Sequence, residues 1–295
     1  MAQKLTLPDG RIAEYLVSGD TNGFPLVWIH GTPGAYQPVP SLVAASEKKG
    51  VKVITISRAG YGSSSRNKGR SVVDAVADIQ AVNEHLGVQR CLVGGWSGGG
   101  PHALACAARL PGCVAALSVA GVGPYNVEGL DFLKGQGEDN VEEFNAALKG
   151  EEELQKYCRA QREQLLQMDL AGITTALDSL FPEVDKKALA TNGAMGQYIG
   201  EGFHEALRVS ADGWVDDDLA FTKPWGFELS EIKVPVFLYQ GTEDKMVPYA
   251  HGEWLAKQLP QDKVKKHLLP SEGHMSIFLG QEDLMIDELL EIAKL

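Results

Sequence analysis

Cysteine is scarce and unpatterned in this chain. Among 295 residues there are four, Cys91, Cys106, Cys113 and Cys158. None forms a C-x-x-C pair and none has a histidine at metal-ligand spacing, so a disulfide framework or a zinc site is not indicated. Three sit in apolar stretches, where a thiol behaves as a small hydrophobe, and a reducing compartment is the simplest setting. Long hydrophobic runs are also missing. No stretch of about 18 apolar residues could span a bilayer, and Met1-Ala2-Gln3-Lys4-Leu5 opens without a signal-peptide core. A cytoplasmic location is expected. Basic residues are outnumbered, 27 Lys and Arg against 39 Asp and Glu, for a net charge of −12. That balance argues against nucleic acid or an anionic membrane as partner, and a small-molecule substrate is expected instead. Repeats and low-complexity tracts are absent, and nothing marks an oligomer surface. The chain is 44% hydrophobic and 22% charged, ordinary for a folded domain with a large core.

The pattern along the chain alternates strands and helices. Lys4 to Leu7 and Arg11 to Ser18 read as a hairpin around Pro8-Asp9-Gly10. Pro25 to His30, Val51 to Ile56, Arg90 to Val93 and Val114 to Ala120 read as strands, with helices at Ser41 to Lys49, Ser71 to Leu86 and Pro101 to Leu110. Ser71 and Asp74 have capping-box spacing. The rhythm stops after Gly121-Val122-Gly123-Pro124. Glu138 to Gln167 reads as one charged helix, followed by shorter pieces separated at Gly172, Phe181-Pro182, Gly193 and Gly213. Strands resume at Val234 to Gln240 and Val264 to Leu269. Between them lies a helix at Tyr249 to Leu259, and the last helix carries Phe278, Met285, Leu289 and Ile292 on one face. Such alternation predicts an α/β fold with a mostly parallel, eight-stranded sheet, helices on both faces and an inserted helical cap. The expected division is 1–123 for the first part of the core, 124–223 for the cap and 224–295 for the rest of the core.

One stretch concentrates the chemistry: Gly94-Gly95-Trp96-Ser97-Gly98-Gly99-Gly100. A strand precedes it and an alanine-rich helix follows it. In that context G-x-S-x-G reads as a nucleophile elbow, a strained turn that lifts Ser97 above the sheet. Gly95 and Gly99 leave room where strand and helix approach. The Gly98 N–H, at the helix start, points at developing negative charge. A serine hydroxyl needs a base, and of seven histidines only His274 lies between a late strand and the last helix. Asp244 follows the preceding strand and is the carboxylate expected to orient it, with Glu243 a rival next door. His30-Gly31-Thr32-Pro33-Gly34 offers a second oxyanion donor, the Thr32 N–H.

Three further residues are candidate substrate contacts: His30, Trp96 and His102. For His30, fixing its own loop is the competing role, and for His102, helix packing. Glu151, Glu152 and Glu153 could bind a substrate amine, although a solvated helix face explains them as well. No residue set calls for a metal or a cofactor.

Taken together these motifs resemble the α/β-hydrolase fold superfamily. His30-Gly31-Thr32-Pro33-Gly34 resembles its H-G-x-P-G oxyanion loop, and Arg58-Ala59-Gly60-Tyr61-Gly62-Ser63-Ser64 its R-x-G-x-G-x-S loop. The order Ser97, Asp244, His274 matches Ser…Asp…His. The middle insert matches only in position, as the cap that members carry after the sixth strand. Proline iminopeptidases share the H-G-x-P-G form. Their loop is usually H-G-G-P-G, their elbow places tryptophan after the serine, and they carry D-Q-R-G. Here Thr32 replaces the glycine, Trp96 precedes Ser97, and Ser57-Arg58-Ala59-Gly60 stands in place of D-Q-R-G. These departures point away from a peptidase. A dehalogenase or epoxide hydrolase would carry aspartate at Ser97.

The resemblance implies a serine hydrolase, in the first instance a carboxylesterase for small or medium acyl esters. An aminopeptidase, amidase or C–C hydrolase with the same triad stays open, as does a small-molecule receptor of the same fold. An apolar, ligand-sized cavity above Ser97 would favour the ester. A small polar pocket with a glutamate facing the serine would favour the peptidase. Activity is expected to rise with pH near about 6 to 7 as His274 loses its proton.

Overall fold

A computed structural model describes residues 2–293, apart from the side chains of Leu170 and Thr174. The hairpin strands are β1 (Gln3–Thr6) and β2 (Ile12–Gly19), followed by β3 (Phe24–Ile29), α1 (Pro40–Lys48) and β4 (Val51–Ser57). Next come α2 (Ala75–His85), β5 (Cys91–Trp96), α3 (Gly100–Arg109) and β6 (Cys113–Val119). Six helices then run without a strand: α4 (Glu138–Lys149), α5 (Glu151–Leu165), α6 (Leu170–Ala176), α7 (Glu183–Thr191), α8 (Gly193–Leu207) and α9 (Asp212–Phe221). The core closes with β7 (Val236–Gly241), α10 (Tyr249–Gln258), β8 (Val264–Leu269) and α11 (Glu282–Ala293).

The strands form one eight-stranded sheet in the order β1-β2-β4-β3-β5-β6-β7-β8. Only β1 with β2 and β2 with β4 run antiparallel. The strands from β4 through β8 are mutually parallel neighbours. Both faces of the central strands β3, β5 and β6 are covered, which is why these strands are largely apolar, whereas the edge strand β8 exposes Lys265 and Lys266. In β3, Val27 and Ile29 pack into one layer, and Leu26 and Trp28 into the other. The register pairs Trp28 with Thr55 and Ile29 with Gly95, so β3, β4 and β5 end side by side. The loops carrying Thr32, Arg58 and Ser97 therefore leave the sheet at one edge, where α/β sites form.

Two expected elements differ. The helix expected over 138–167 is two helices, because Gly150 adopts φ +109° and its N–H turns back to the Ala147 carbonyl. The last helix starts at Glu282, after Gly280 at φ +83° breaks the chain direction. Phe278 thus lies in the preceding turn, fully buried 5.5 Å from the Trp28 ring, while Ile292 is exposed. Ser71 and Asp74 pair as expected, the Ser71 N–H donating to the Asp74 carboxylate at 2.7 Å. They cap a single 3-10 turn ahead of α2. Gly172, Gly193 and Gly213, expected as separators, instead lie inside α6, open α8 and lie in the first turn of α9. Among the described residues, no helix is long and apolar enough to cross a membrane.

Candidate active site

Ser97 occupies the left-handed region at φ +57°. A non-glycine residue there costs about 1–3 kcal/mol and persists only where its surroundings over-determine it. Here the surroundings are backbone. A Cβ at Gly95 would fall 2.5 Å from the Gly99 carbonyl carbon, and one at Gly99 would fall 2.8 Å from the His30 carbonyl oxygen. Strand, elbow and oxyanion loop are therefore packed main chain to main chain. A Cβ on Gly98 would lie 2.8 Å from the Thr32 Cβ, so the two expected oxyanion donors sit against each other. The Thr32 N–H has no acceptor among the described residues, and the first turn of a helix leaves N–H groups such as that of Gly98 free.

His274 lies in the turn after β8, with its ring buried. Its Nδ1 is 2.8 Å from Asp244 Oδ2. The other Asp244 oxygen accepts the N–H groups of Met246 and Val247, at 2.9 and 2.8 Å. The Gln240 amide donates to Oδ2 at 3.2 Å. Burial alone would lower the His274 pKa. The charge and hydrogen bond of Asp244, with the charge of Asp185, outweigh it and raise the pKa above the ordinary value of 6.5. Glu243, the rival acid, is exposed on the loop. The Ser97 hydroxyl has no hydrogen-bond partner among the described residues, but it borders the same cavity as His274. Contacts of this kind are commonly long before substrate arrives.

The three candidate substrate contacts separate. Trp96 borders the cavity, yet its ring stacks on His274 at 5.6 Å and its indole N–H donates to the His274 carbonyl at 3.2 Å. It braces the imidazole. His30 and His102 do not border the cavity; both are buried behind it. His30 Nε2 accepts the Arg58 N–H at 3.0 Å, and its Nδ1 lies 2.6 Å from the Gly31 carbonyl. His102 Nδ1 lies 2.9 Å from the Gly98 carbonyl. Burial and the nearby Arg58 charge push the His30 pKa well down and that of His102 down to about 3. Both rings stay neutral and serve as pins.

Two carboxylates that hold this site together were not anticipated. Asp217 of α9 is fully buried beneath the oxyanion loop. It pairs with Arg58 at 2.5 Å and Arg70 at 2.6 Å, and accepts the hydroxyls of Tyr61 and Thr32, each at 2.8 Å. Arg58 in turn donates to the carbonyls of His30 and Gly31 and to the Thr32 hydroxyl. Asp185 of α7 accepts the N–H groups of His274, Met275 and Ser276 at 2.8, 3.0 and 2.9 Å. Asp216-Asp217-Asp218 reads as a solvated acidic run, but its helix is apolar on every side: Trp214, Val215, Leu219, Ala220 and Phe221. An all-round apolar helix is a buried one, and in it Asp216 pairs with Arg66 and Asp217 with Arg58 and Arg70.

Above Ser97 is a cavity of about 160 Å³. Its floor is Gly31 to Ala35, Trp96 to Gly98 and His274. Its roof comes from α4, α5, α8 and α9 and is largely apolar, including Phe144, Leu165, Ile199, Phe203 and Phe221. Asp139, Glu143 and Asp218 also border it. Glu151, Glu152 and Glu153 do not: they pair at the surface with Arg66, Lys68 and Lys156.

The sequence profile of the alpha/beta hydrolase fold family matches residues 25–281. A non-heme chloroperoxidase of Streptomyces lividans is 28% identical over 249 residues, spanning 83% of each chain. Among solved structures, a bromoperoxidase from Bacillus anthracis superposes with a TM-score of 0.72 at 20% identity, over 99% of this chain and 100% of that one. The enol-lactonase from Burkholderia xenovorans LB400 superposes with a TM-score of 0.70 at 17% identity, with the same coverage. At these identities the structural matches speak for the fold.

Proposed function

This chain belongs to the alpha/beta hydrolase fold family, and from that premise we propose that it is a serine hydrolase acting as a carboxylesterase on small or medium acyl esters. The observation that carries the reading is that a strained serine and a carboxylate-held imidazole border one cavity. In this mechanism Ser97 Oγ attacks the ester carbonyl carbon while His274 Nε2 takes its proton. The carbonyl oxygen becomes an oxyanion, held by the N–H groups of Thr32 and Gly98. As the C–O bond breaks, the imidazolium returns the proton to the leaving alcohol. Water, deprotonated by the same ring, then releases the acid from the acyl-enzyme. Asp244 keeps the Nδ1 proton in place and stabilises the imidazolium. The six-helix insert acts as the cap, and its apolar residues over Ser97 favour an apolar acyl or alcohol portion.

A fluorophosphonate probe tests the nucleophile. Wild-type protein should be labelled and Ser97→Ala should not; equal labelling of both would end this reading.

The pH profile tests the base. His274 must be neutral to accept a proton, and its surroundings raise its pKa above 6.5. Activity should therefore be lost as pH falls through a value above the 6.5 of an ordinary histidine. A kcat/KM profile with its acid limb well below pH 6.5 would contradict the ring's assignment.

A further inference from the structure

The main chain that carries His274 belongs to no helix or strand. β8 ends at Leu269, and α11 begins only at Glu282. In the turn between them, the N–H groups from Gly273 to Ser276 are all taken up by side chains. The Gly273 N–H donates to the Ser276 hydroxyl at 2.8 Å. Those of His274, Met275 and Ser276 converge on Asp185, the first on Oδ2 and the other two on Oδ1. Successive main-chain N–H groups make a concave site for an anion. Here the anion is a side chain supplied by the helical insert.

The fit is close. Asp185 is fully buried in the first turn of α7. A Cβ on Gly273 would fall 2.5 Å from both of its carboxylate oxygens, so only glycine lets the two segments approach this far. On the insert side the chain is equally constrained. The N–H groups of Asp185 and Lys186 turn back to the Pro182 carbonyl at 2.9 and 3.1 Å. Leu180 and Phe181, immediately before that proline, border the cavity. One short segment therefore roofs the cavity and grips the His274 turn.

The ring itself is held from the core. Asp244 fixes Nδ1, and Trp96 stacks on the imidazole at 5.6 Å. These contacts set the torsion of the side chain, but they do not set where its Cα lies. We propose, on the hydrolase reading in which His274 is the base, that Asp185 is a positioning residue. It holds the main chain behind the imidazole so that Nε2 can face the Ser97 hydroxyl. The insert thus completes the base as well as covering the substrate.

Asp185→Asn tests this. The amide keeps the shape of the carboxylate, but its NH2 must face at least one of the three N–H groups. On an acyl ester kcat should fall by about tenfold to a hundredfold, with KM changed less than about twofold. The acid limb of kcat/KM should move to lower pH, because the Asp185 charge helps Asp244 to raise the His274 pKa. A residue that merely fastens the insert would lower the melting point and leave kcat per folded molecule and the acid limb unchanged; that result overturns the proposal. Glu183→Gln, exposed in the same turn, is the control and should change kcat less than about twofold. Gly273→Ala gives a second route if Asp185→Asn does not fold, since the added methyl displaces the carboxylate without removing it. It should lower kcat by a similar factor, and wild-type kcat in this variant would equally overturn the proposal. A wild-type protein that fluorophosphonate does not label at Ser97 would defeat the hydrolase reading. Normal labelling of the wild type together with an unimpaired Asp185→Asn would defeat the role of Asp185 alone.

Discussion

Replacing Asp244 with asparagine should lower kcat on an acyl ester by about four orders of magnitude while leaving the protein folded. The hydrogen bonds around the carboxylate dictate why. Oδ1 receives two main-chain N–H groups, from Met246 and Val247. These are fixed donors, so an asparagine places its oxygen there and its NH2 at the Oδ2 position. That NH2 then faces His274 Nδ1, which must become an acceptor. The ring proton moves to Nε2, the atom that has to receive the Ser97 proton. The Gln240 amide is also displaced, because its Nε2 donates to Oδ2 as well as to the Val247 carbonyl at 2.8 Å. Gln240 Oε1 has no partner of its own, so a flip of that amide could relieve the clash at the expense of the Val247 bond. The variant should thus remain folded with the wrong tautomer. The acid limb of its residual activity should also move to lower pH, because the charge and hydrogen bond of Asp244 no longer oppose burial, which lowers the His274 pKa, and only the weaker charge of Asp185 remains. Glu243→Gln, on the exposed side of the same loop, is the control and should change kcat less than about twofold. A loss below tenfold in Asp244→Asn would remove Asp244 from the reaction.

The candidate triad was legible because each member is tied to its own strand end by local rules. The elbow needs small residues around Ser97 wherever strand and helix touch, and the contacts of Gly95 and Gly99 bear out that reason. Asp244 and His274 follow β7 and β8, and the parallel sheet delivers both to the edge where β5 ends. Long-range electrostatics had no such local signature. Asp217 lies 159 residues from Arg58 and 147 from Arg70, and nothing in a period of two or of 3.6 links them. For His30 and His102 the sequence left two roles side by side, substrate contact or packing. Only the three-dimensional arrangement shows the rings turned inward, toward Arg58 and Asp217. The insert was legible as helices and no further. Breaks at a positive-φ glycine, such as Gly150, depend on how α4 and α5 pack. The cavity carboxylates Glu143 and Asp218 come from helices brought together only by that packing.

The largest stability effect should come from Asp217. Removing its carboxylate in Asp217→Ala leaves the guanidiniums of Arg58 and Arg70 buried, at 3% and 2% side-chain exposure, without a counter-charge. Breaking a buried ion pair from one side costs about 3–5 kcal/mol. At roughly 2–4 °C per kcal/mol for a large domain, the melting point should fall by about 10 °C. The pH dependence follows from the Asp217 pKa. Burial would raise it, but the charges of Arg58 and Arg70, with the Arg58 hydrogen bond, more than reverse that and hold it well below 3.8. A depressed folded pKa contributes stability that is fully present above the ordinary carboxylate range and is lost as pH falls through the folded value. The gap in melting point between wild type and Asp217→Ala should therefore be widest near neutrality and close only under strongly acidic conditions. Rate should suffer too, because Asp217 and Arg58 together hold the Thr32 hydroxyl and the carbonyls that shape the oxyanion loop. Since α9 supplies the carboxylate and the core supplies the cations, the helical insert and the oxyanion loop share one electrostatic anchor. A melting point within a degree or two of wild type would show that the cluster contributes little. Normal stability with a depressed kcat would instead assign it to positioning alone.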